Sequence, residues 1–258
     1  MKFTTMLIAA VAVGTSVCAG TEHKFGKPDY CVTQRPAHDS PSLPRRIGVL
    51  LFPAFELLDV FGPLEIISVL AGTYQLQLSL IAETMDPVST RPLLAAMNRM
   101  NSSVFPEVLP THTIHNAPAL DVLLVPGGLG TRSPFINATL AYIKKTAPQV
   151  KYVITVCSGS LLAARAGILD GRTATTNKQS WNSTVKSQPQ VNWVPHARWT
   201  VDGTLWTTSG ISAGIDGVLG WVECVFGEEV ARNTTVFMEY NREEDADNDP
   251  FAVVSGVY

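Results

Sequence analysis

One cysteine stands where it could act as a nucleophile. Cys157 ends the apolar, β-branched run YVITV and is followed at once by Ser158, Gly159 and a segment rich in alanine and leucine. A strand that turns sharply into a helix points the residue at the turn toward the helix N-terminus, whose partial positive charge stabilises a thiolate. Small residues after the cysteine keep the turn tight, as a nucleophile elbow requires. This pattern favours a reactive Cys157 over an inert cysteine that merely ends a strand.

An acid and two backbone N–H groups could complete such a site. Asp59 follows the apolar run RRIGVLLF and precedes VFGPLEII, so it could cap a helix, act as a general acid and base, or do both. The N–H of Ser158 and the N–H of Gly128, which has no side chain to obstruct it, could hold negative charge that develops on an adduct. Gly127 and Gly128 could equally form only a turn.

Short apolar strands and helices alternate along the chain and would position these groups. Periodicity predicts strands at RRIGVLLF, YQLQLSLIAE, DVLLVPGG and KYVITV, and helices at LDVFGPLEIISVLAG, NATLAYIKKTAP and SLLAARAGIL. This alternation predicts an α/β sandwich with a mostly parallel sheet, and the segment ARWTVDGTLWTTSG adds a β-hairpin. Ligands of open α/β sheets bind at the carboxyl ends of the strands, so Asp59, Gly128 and Cys157 are expected at one edge.

Composition limits the classes of partner. The chain has 258 residues, of which 46% are hydrophobic and 16% are charged, so it can bury the core of one large domain. Its net charge is −3 without any cluster of Lys or Arg, which disfavours nucleic acid and anionic membrane as partners and favours a small-molecule substrate. His112 and His115 would point to opposite faces of a strand, so no metal site is predicted.

The N-terminus indicates export. Lys2, an apolar core from Met6 to Val13, and small residues before Gly20 predict a signal peptide at residues 1–19. Four Asn-x-Ser/Thr sequons fit glycosylation in a eukaryotic secretory pathway, and their asparagines are Asn101, Asn137, Asn182 and Asn233. We therefore expect a secreted, extracellular glycoprotein.

Three cysteines remain once the signal peptide is removed. Cys31 lies in a proline-rich arm, residues 20–44, and Cys224 lies in an apolar helix candidate. A disulfide between them would anchor the arm and leave Cys157 free, whereas three free buried thiols is the alternative. The main domain is expected at 45–241, and the acidic residues of 242–258 favour a solvated C-terminal tail.

Several motifs together resemble the DJ-1/PfpI family, within the class I glutamine amidotransferase-like superfamily. They are LFPAFELLDVFGPLEII, DVLLVPGG, VCSGSLLAARAGILDGRTATT and GISAGIDGVLGWVE, in the family's order. The resemblance runs from about Arg45 to Phe251 and implies a flavodoxin-like three-layer sandwich, often a homodimer, without a cofactor. Asp59 to Pro63 matches the D-x-x-G-P signature of isocyanide hydratases and of the ligand-binding domains of AraC-type regulators. A secreted, fungal-type member of that subgroup is expected.

The resemblance also implies site roles, with Cys157 as nucleophile and Asp59 as the acid. Where amidotransferases and proteases of the superfamily place a histidine, this chain reads ATTNKQSW with Asn177, so a Cys-His hydrolytic triad is not expected. An isocyanide hydratase-like lyase needs only a thiol and an acid. Two alternatives remain open. They are a glyoxalase-type enzyme acting on 2-oxoaldehydes and a non-catalytic module that binds a small ligand or senses redox state.

Overall fold

The computed structural model describes residues 28–29, 31–32 and 34–257, so the expected signal peptide lies outside the described residues. The strands are β1 (Arg46–Leu50), β2 (Gln77–Ala82), β3 (Val88–Ser89), β4 (Glu107–Val108), β5 (His112–Thr113), β6 (Val122–Val125), β7 (Tyr152–Thr155), β8 (Thr173–Ala174), β9 (Asn192–Trp193), β10 (Trp199–Asp202) and β11 (Leu205–Thr208). The α-helices are α1 (Leu57–Ala71), α2 (Asn137–Thr146), α3 (Gly159–Arg165), α4 (Trp181–Ser187), α5 (Ala213–Phe226), α6 (Glu228–Phe237) and α7 (Pro250–Val254). None of these helices is long and apolar enough to cross a membrane.

A seven-stranded sheet organises the molecule, in the order β10-β11-β7-β6-β1-β2-β5. Neighbouring strands are parallel except for the antiparallel pair β10 and β11. Helices α1, α5 and α6 pack together, and α2 packs with α3. All four residues of β6 are buried, as expected for a central parallel strand covered on both faces. The structure thus confirms the predicted three-layer sandwich with a mostly parallel sheet.

The predicted β-hairpin forms, and it extends the central sheet. The chain reverses at Gly203, whose φ of 58° is the left-handed conformation that glycine adopts without strain. Strand β11 then pairs in parallel with β7, and Thr207 lies opposite Thr155. This pairing brings the end of the hairpin beside the end of β7, where Cys157 lies.

The C-terminal segment is packed, contrary to the expectation of a solvated tail. Arg242 forms an ion pair of 2.9 Å with Glu223 of α5, and the N–H of Glu243 donates to Oδ1 of the buried Asp216 at 3.0 Å. Asp249 is buried at the start of α7, where its side chain accepts a hydrogen bond from the N–H of Phe251. A run of acidic residues usually remains solvated, but here several of them bond to backbone N–H groups and to cations.

The structure contains the disulfide between Cys31 and Cys224, and Cys157 is the free cysteine of the described residues. A backbone hydrogen bond of 2.8 Å from the N–H of Val32 to the carbonyl of Cys224 continues the attachment. The N-terminal arm is therefore tied to α5, whose apolar face lies in the main core.

Loss of the disulfide should cost stability and leave the chemistry intact. The double variant Cys31→Ser/Cys224→Ser releases a constraint between residues 193 positions apart, so we expect the free energy of unfolding to fall by about 2–5 kcal/mol. Urea titration measures this loss, and the wild-type protein under a reducing agent should match the variant. Unchanged urea midpoints in both experiments would contradict the anchoring role.

Candidate active site

Cys157 lies at a sharp turn between β7 and α3 in an unusual backbone conformation. Its φ is 56°, a left-handed value that costs a residue with a Cβ roughly 1–3 kcal/mol and persists only where neighbours enforce it. Three hydrogen bonds do so. The N–H of Cys157 donates to the carbonyl of Ser209 at 3.0 Å, and its own carbonyl accepts from Oγ of Ser160 at 3.1 Å and Oγ1 of Thr176 at 3.4 Å. This is the geometry of a nucleophile elbow.

The sulfur of Cys157 is enclosed, and this changes its expected protonation state. Burial, and secondly the charge of Asp59, raise the pKa of the thiol to about 12, although hydrogen bonds from the backbone N–H groups of Ile211 and Ser158 act in the opposite direction. The expectation that the turn alone would favour a thiolate is therefore wrong for the free protein. The reason is that the sulfur is removed from water and lies near the charge of Asp59.

Asp59 lies on α1, and its carboxyl group is close to the thiol of Cys157. It is the third residue of that helix rather than its cap, is fully buried, and accepts a hydrogen bond of 2.8 Å from the N–H of Gly127 at Oδ2. A Cβ on Gly127 would lie 2.6 Å from the backbone nitrogen of Ser158 and 2.9 Å from Oδ2 of Asp59, so only glycine allows this approach. Burial raises the pKa of Asp59 to about 7, and the bond from Gly127 opposes this rise.

The carboxyl and the thiol form a coupled pair. The thiol of Cys157 lies close enough to act on the pKa of Asp59, yet Oδ1 of Asp59 has no hydrogen bond of acceptable geometry within the described residues. A buried polar atom without a partner is costly and calls for a functional explanation. Oδ1 is available to receive the thiol proton or to bind a substrate or water. The structure thus brings together the two residues that the sequence proposed as nucleophile and acid.

The buried Asp59 should make stability depend on pH. Its pKa is raised in the folded state, so its contribution is complete below the unfolded value of 3.8 and is lost as pH rises to about 7. Asp59→Asn should therefore gain stability relative to wild type between these values, by up to about 4 kcal/mol. Thermal or urea unfolding across pH 4–8 measures the difference. Glu65→Gln, an exposed position on α1, is the control, and an Asp59→Asn curve parallel to wild type would contradict the prediction.

Of the two predicted oxyanion donors, one is already engaged. The N–H of Gly128 donates to Oγ of Ser158 at 3.0 Å, so it can serve an adduct only if that hydroxyl turns away. The N–H of Ser158 faces the sulfur of Cys157. The oxyanion role of both N–H groups stays a prediction.

Two contributors to the site escaped sequence reasoning. Glu56 is half-buried, its N–H donates to the carbonyl of Gly127 at 2.8 Å, and its charge raises the pKa values of both Asp59 and Cys157. Glu56 is the N-cap residue of α1, three positions before Asp59, and this spacing was a usable signal. Ile211 contributes only a backbone N–H, and a side-chain pattern cannot show that.

The residues around the pair offer neither a histidine base nor a metal site. In the described part of the chain no imidazole is among the groups that act on the pKa of Cys157. Asn177 instead caps the short 3-10 turn Lys178–Ser180 by accepting from the N–H of Ser180 at 2.9 Å. Nor do the described side chains include a cluster of His, Cys, Asp and Glu that could hold a metal ion.

A cavity of about 710 Å³ is lined in part by Leu129 and Gly130, which follow Gly128 in the chain. Its lining is mostly apolar and includes Phe52, Leu94, Met97 and Phe135, but neither Cys157 nor Asp59. We assign the site to the Cys157–Asp59 pair rather than to this cavity, because reacting groups identify a catalytic site and volume alone does not.

The order of elements and the elbow both correspond to one known family. The profile of the DJ-1/PfpI family matches residues 45–223, which is more than half of the chain. The chain belongs to the DJ-1/PfpI family. A curated DJ-1/PfpI relative, the isonitrile hydratase of Pseudomonas putida, is 35% identical over 198 residues, which cover 76% of this chain and 78% of the relative. This similarity supports an enzyme of the DJ-1/PfpI family.

One other relative has a different function. The transcriptional regulator GbdR of Pseudomonas aeruginosa is 26% identical over 136 residues, which cover 53% of this chain and 37% of the regulator. Among solved structures, a ThiJ/PfpI family protein from Pseudomonas syringae aligns with a TM-score of 0.61 at 23% identity, over 82% of this chain and 83% of that one. The structural likeness establishes the fold, and the choice between catalysis and ligand binding rests on the site.

Proposed function

We propose that this chain is a secreted cysteine-dependent lyase that hydrates a small electrophile, with isocyanides as the substrate class. The observation that carries the proposal is the pairing of Cys157, held in a strained elbow, with a buried Asp59 that has one unpartnered carboxyl oxygen. The similarity to isonitrile hydratase supports the substrate class. Because no histidine of the described residues acts on the pKa of the sulfur, chemistry that requires a Cys-His pair is disfavoured.

The first step joins the thiol to the substrate. With its pKa near 7, Asp59 is matched to accept the proton of Cys157 as the sulfur attacks the terminal carbon of R–N≡C. The charge of Asp59 is itself a cause of the high pKa of the thiol, so this proton transfer removes an obstacle to the thiolate. Asp59 then returns the proton to the same carbon. The product is a thioimidate, R–N=CH–S–Cys157, and the atoms of thiol and isocyanide are all retained.

The second step adds water. The carboxylate of Asp59 takes a proton from a water molecule as the water oxygen attacks the thioimidate carbon, and Asp59 passes that proton to the nitrogen. The carbon–sulfur bond breaks as the new hydroxyl gives up its proton and becomes the carbonyl of an N-substituted formamide, and Asp59 carries that proton to the sulfur. The N–H groups of Ile211 and Ser158, which face the sulfur, stabilise the thiolate when it departs. The net reaction is R–N≡C plus water giving R–NH–CHO.

A substrate screen tests this proposal. The purified protein is offered aliphatic and aromatic isocyanides, methylglyoxal and simple amides, and formamide, lactate or ammonia is measured. Formamide production from isocyanides alone is expected. Lactate from methylglyoxal would instead support the glyoxalase alternative, and ammonia from amides would contradict the mechanism.

A non-catalytic module is the second candidate, and the closed site favours it. Cys157 is only 5% exposed, and the N–H of Gly128 donates to the hydroxyl of Ser158. Both features fit a site that binds a ligand without reacting with it. The regulator relative supports the same alternative. Saturable binding of an isocyanide or formamide, without turnover, would decide for the module.

Secretion and glycosylation form a separate part of the proposal. The asparagines of all four sequons are exposed, which supports their modification, and they are Asn101, Asn137, Asn182 and Asn233. We expect the protein expressed in a fungal host to appear in the medium, to begin near Gly20, and to lose mass on glycosidase treatment. Intact-mass measurement checks this. An unmodified cytosolic protein that retains Met1 would overturn the localisation.

A further inference from the structure

A buried ion pair links the C-terminal segment to the strand end that carries the nucleophile. Asp249 lies beyond residues 45–223, the part of the chain that matches the family profile. Oδ2 of Asp249 lies 3.4 Å from Nζ of Lys178, and the side chains are 1% and 2% exposed, respectively. Burying two charges in this way lowers the free energy of unfolding unless further hydrogen bonds offset the loss of hydration.

Hydrogen bonds do satisfy both charges. Nζ of Lys178 donates to Oγ1 of Thr175 and to the carbonyl of Ala197, each at 2.9 Å. Oδ2 of Asp249 accepts from Oγ of Ser209 at 2.5 Å, and Oδ1 accepts from the N–H of Phe251 at 3.1 Å. The pair is therefore a built network rather than a chance contact.

This network ends on the backbone of Cys157. The carbonyl of Ser209 accepts the N–H of Cys157 at 3.0 Å, and Oγ1 of Thr176 donates to the carbonyl of Cys157 at 3.4 Å. The carbonyl of Thr176 in turn accepts from Nζ of Lys178 at 3.4 Å and from Oγ of Ser209 at 3.5 Å. Two of the three hydrogen bonds that enforce the left-handed conformation of Cys157 thus involve residues bonded to the ion pair.

We propose that Asp249, with Lys178, is a positioning pair that holds Cys157 in its reactive elbow through Ser209 and Thr176. Neither residue touches the sulfur. Their effect is to keep the sulfur facing the N–H groups of Ile211 and Ser158 and the carboxyl of Asp59. The inference rests on the proposed role of Cys157 as a nucleophile.

The test measures the rate at which the buried thiol of Cys157 is alkylated, because a positioning role and a merely structural role change this rate in opposite directions. Alkylation of Cys157 by iodoacetamide is followed from pH 6 to pH 10 in the wild-type protein, in Ser209→Ala and in Asp249→Asn. If the pair only supports the fold, its loss loosens the structure and alkylation becomes faster. If it positions Cys157, the thiolate loses its N–H donors, so alkylation at pH 8 should slow by about threefold to tenfold.

Further variants sharpen the result. The double variant Ser209→Ala/Asp249→Asn should be no slower than the slower single variant, since the side chain of Ser209 acts through its hydrogen bond to Asp249. Glu244→Gln, an exposed acid of the same segment, should alkylate like wild type. Melting temperatures identify any variant that is only partly folded, and Ser209→Ala keeps the ion pair, so it provides the comparison if Asp249→Asn fails to fold.

The outcomes distinguish this inference from the proposed function. Rates in both single variants that equal or exceed wild type would overturn the positioning role while leaving Cys157 as the nucleophile. Independent, multiplying effects of the two substitutions would also overturn it. A wild-type thiol that resists iodoacetamide at every pH would remove the nucleophile, and the proposed function and this inference would fail together. Slowed alkylation in a protein that turns over no isocyanide would keep the positioning pair and reject only the proposed substrate.

Discussion

Cys157→Ala should abolish hydration of isocyanides, with a loss of at least about 10³-fold in kcat, because no covalent adduct can form. Cys157→Ser should be nearly as inactive, since a serine hydroxyl is a poor nucleophile without a histidine base, and none acts at this position in the described residues. The measurement is formamide production under saturating isocyanide. Mass spectrometry of the wild-type protein should also trap an adduct of one substrate on Cys157.

The matched control is a variant that lacks the two disulfide-bonded cysteines, which the mechanism does not use. Cys31→Ser/Cys224→Ser removes two sulfur atoms far along the chain from the elbow and should retain wild-type turnover at temperatures where it is folded. A fully active Cys157→Ala would show that the cysteine is not the nucleophile. The ligand-binding alternative would then replace the enzyme.

Asp59→Asn should reduce kcat by about 10²- to 10⁴-fold while leaving isocyanide binding largely intact, because an amide cannot shuttle a proton. The pH profile supplies a second readout. The pair must hold a single shared proton, so wild-type activity should rise with pH through the pKa of Asp59, about 7, and the rise should vanish in the variant. Stopped assays from pH 5 to pH 9 measure both effects.

Glu56→Gln provides the comparison for that profile. The charge of Glu56 raises the pKa of Asp59, so its removal should move the midpoint of the activity profile to lower pH with little loss of the maximal rate. An Asp59→Asn variant with wild-type kcat, or a Glu56→Gln profile displaced to higher pH, would refute the assignment of Asp59 as the proton carrier.

The amino-acid sequence by itself determined most of the helices and strands of the sheet and pointed to the Cys157 and Asp59 that the structure brings together. Apolar periodicity located β1, α1, β2, β6, α2, β7 and α3 close to their observed bounds, because burial of one face or both leaves a regular pattern in the sequence. The sequence also predicted the position of Cys157 at a strand-to-helix turn. The sequence offered the pair Cys31 and Cys224 as one of two alternatives, and the structure decided for the disulfide.

Only the tertiary structure decided how those groups are held and protonated. The raised pKa of Cys157, the engagement of the Gly128 N–H by Ser158 and the backbone donor from Ile211 all depend on distances between residues remote in sequence. The acidic C-terminal segment was misjudged for the same reason, since local charge density favours solvent but cannot reveal the buried Lys178 that Asp249 meets. Sequence patterns record which side chains avoid water, whereas electrostatics and backbone hydrogen bonds are set by which segments the fold brings together.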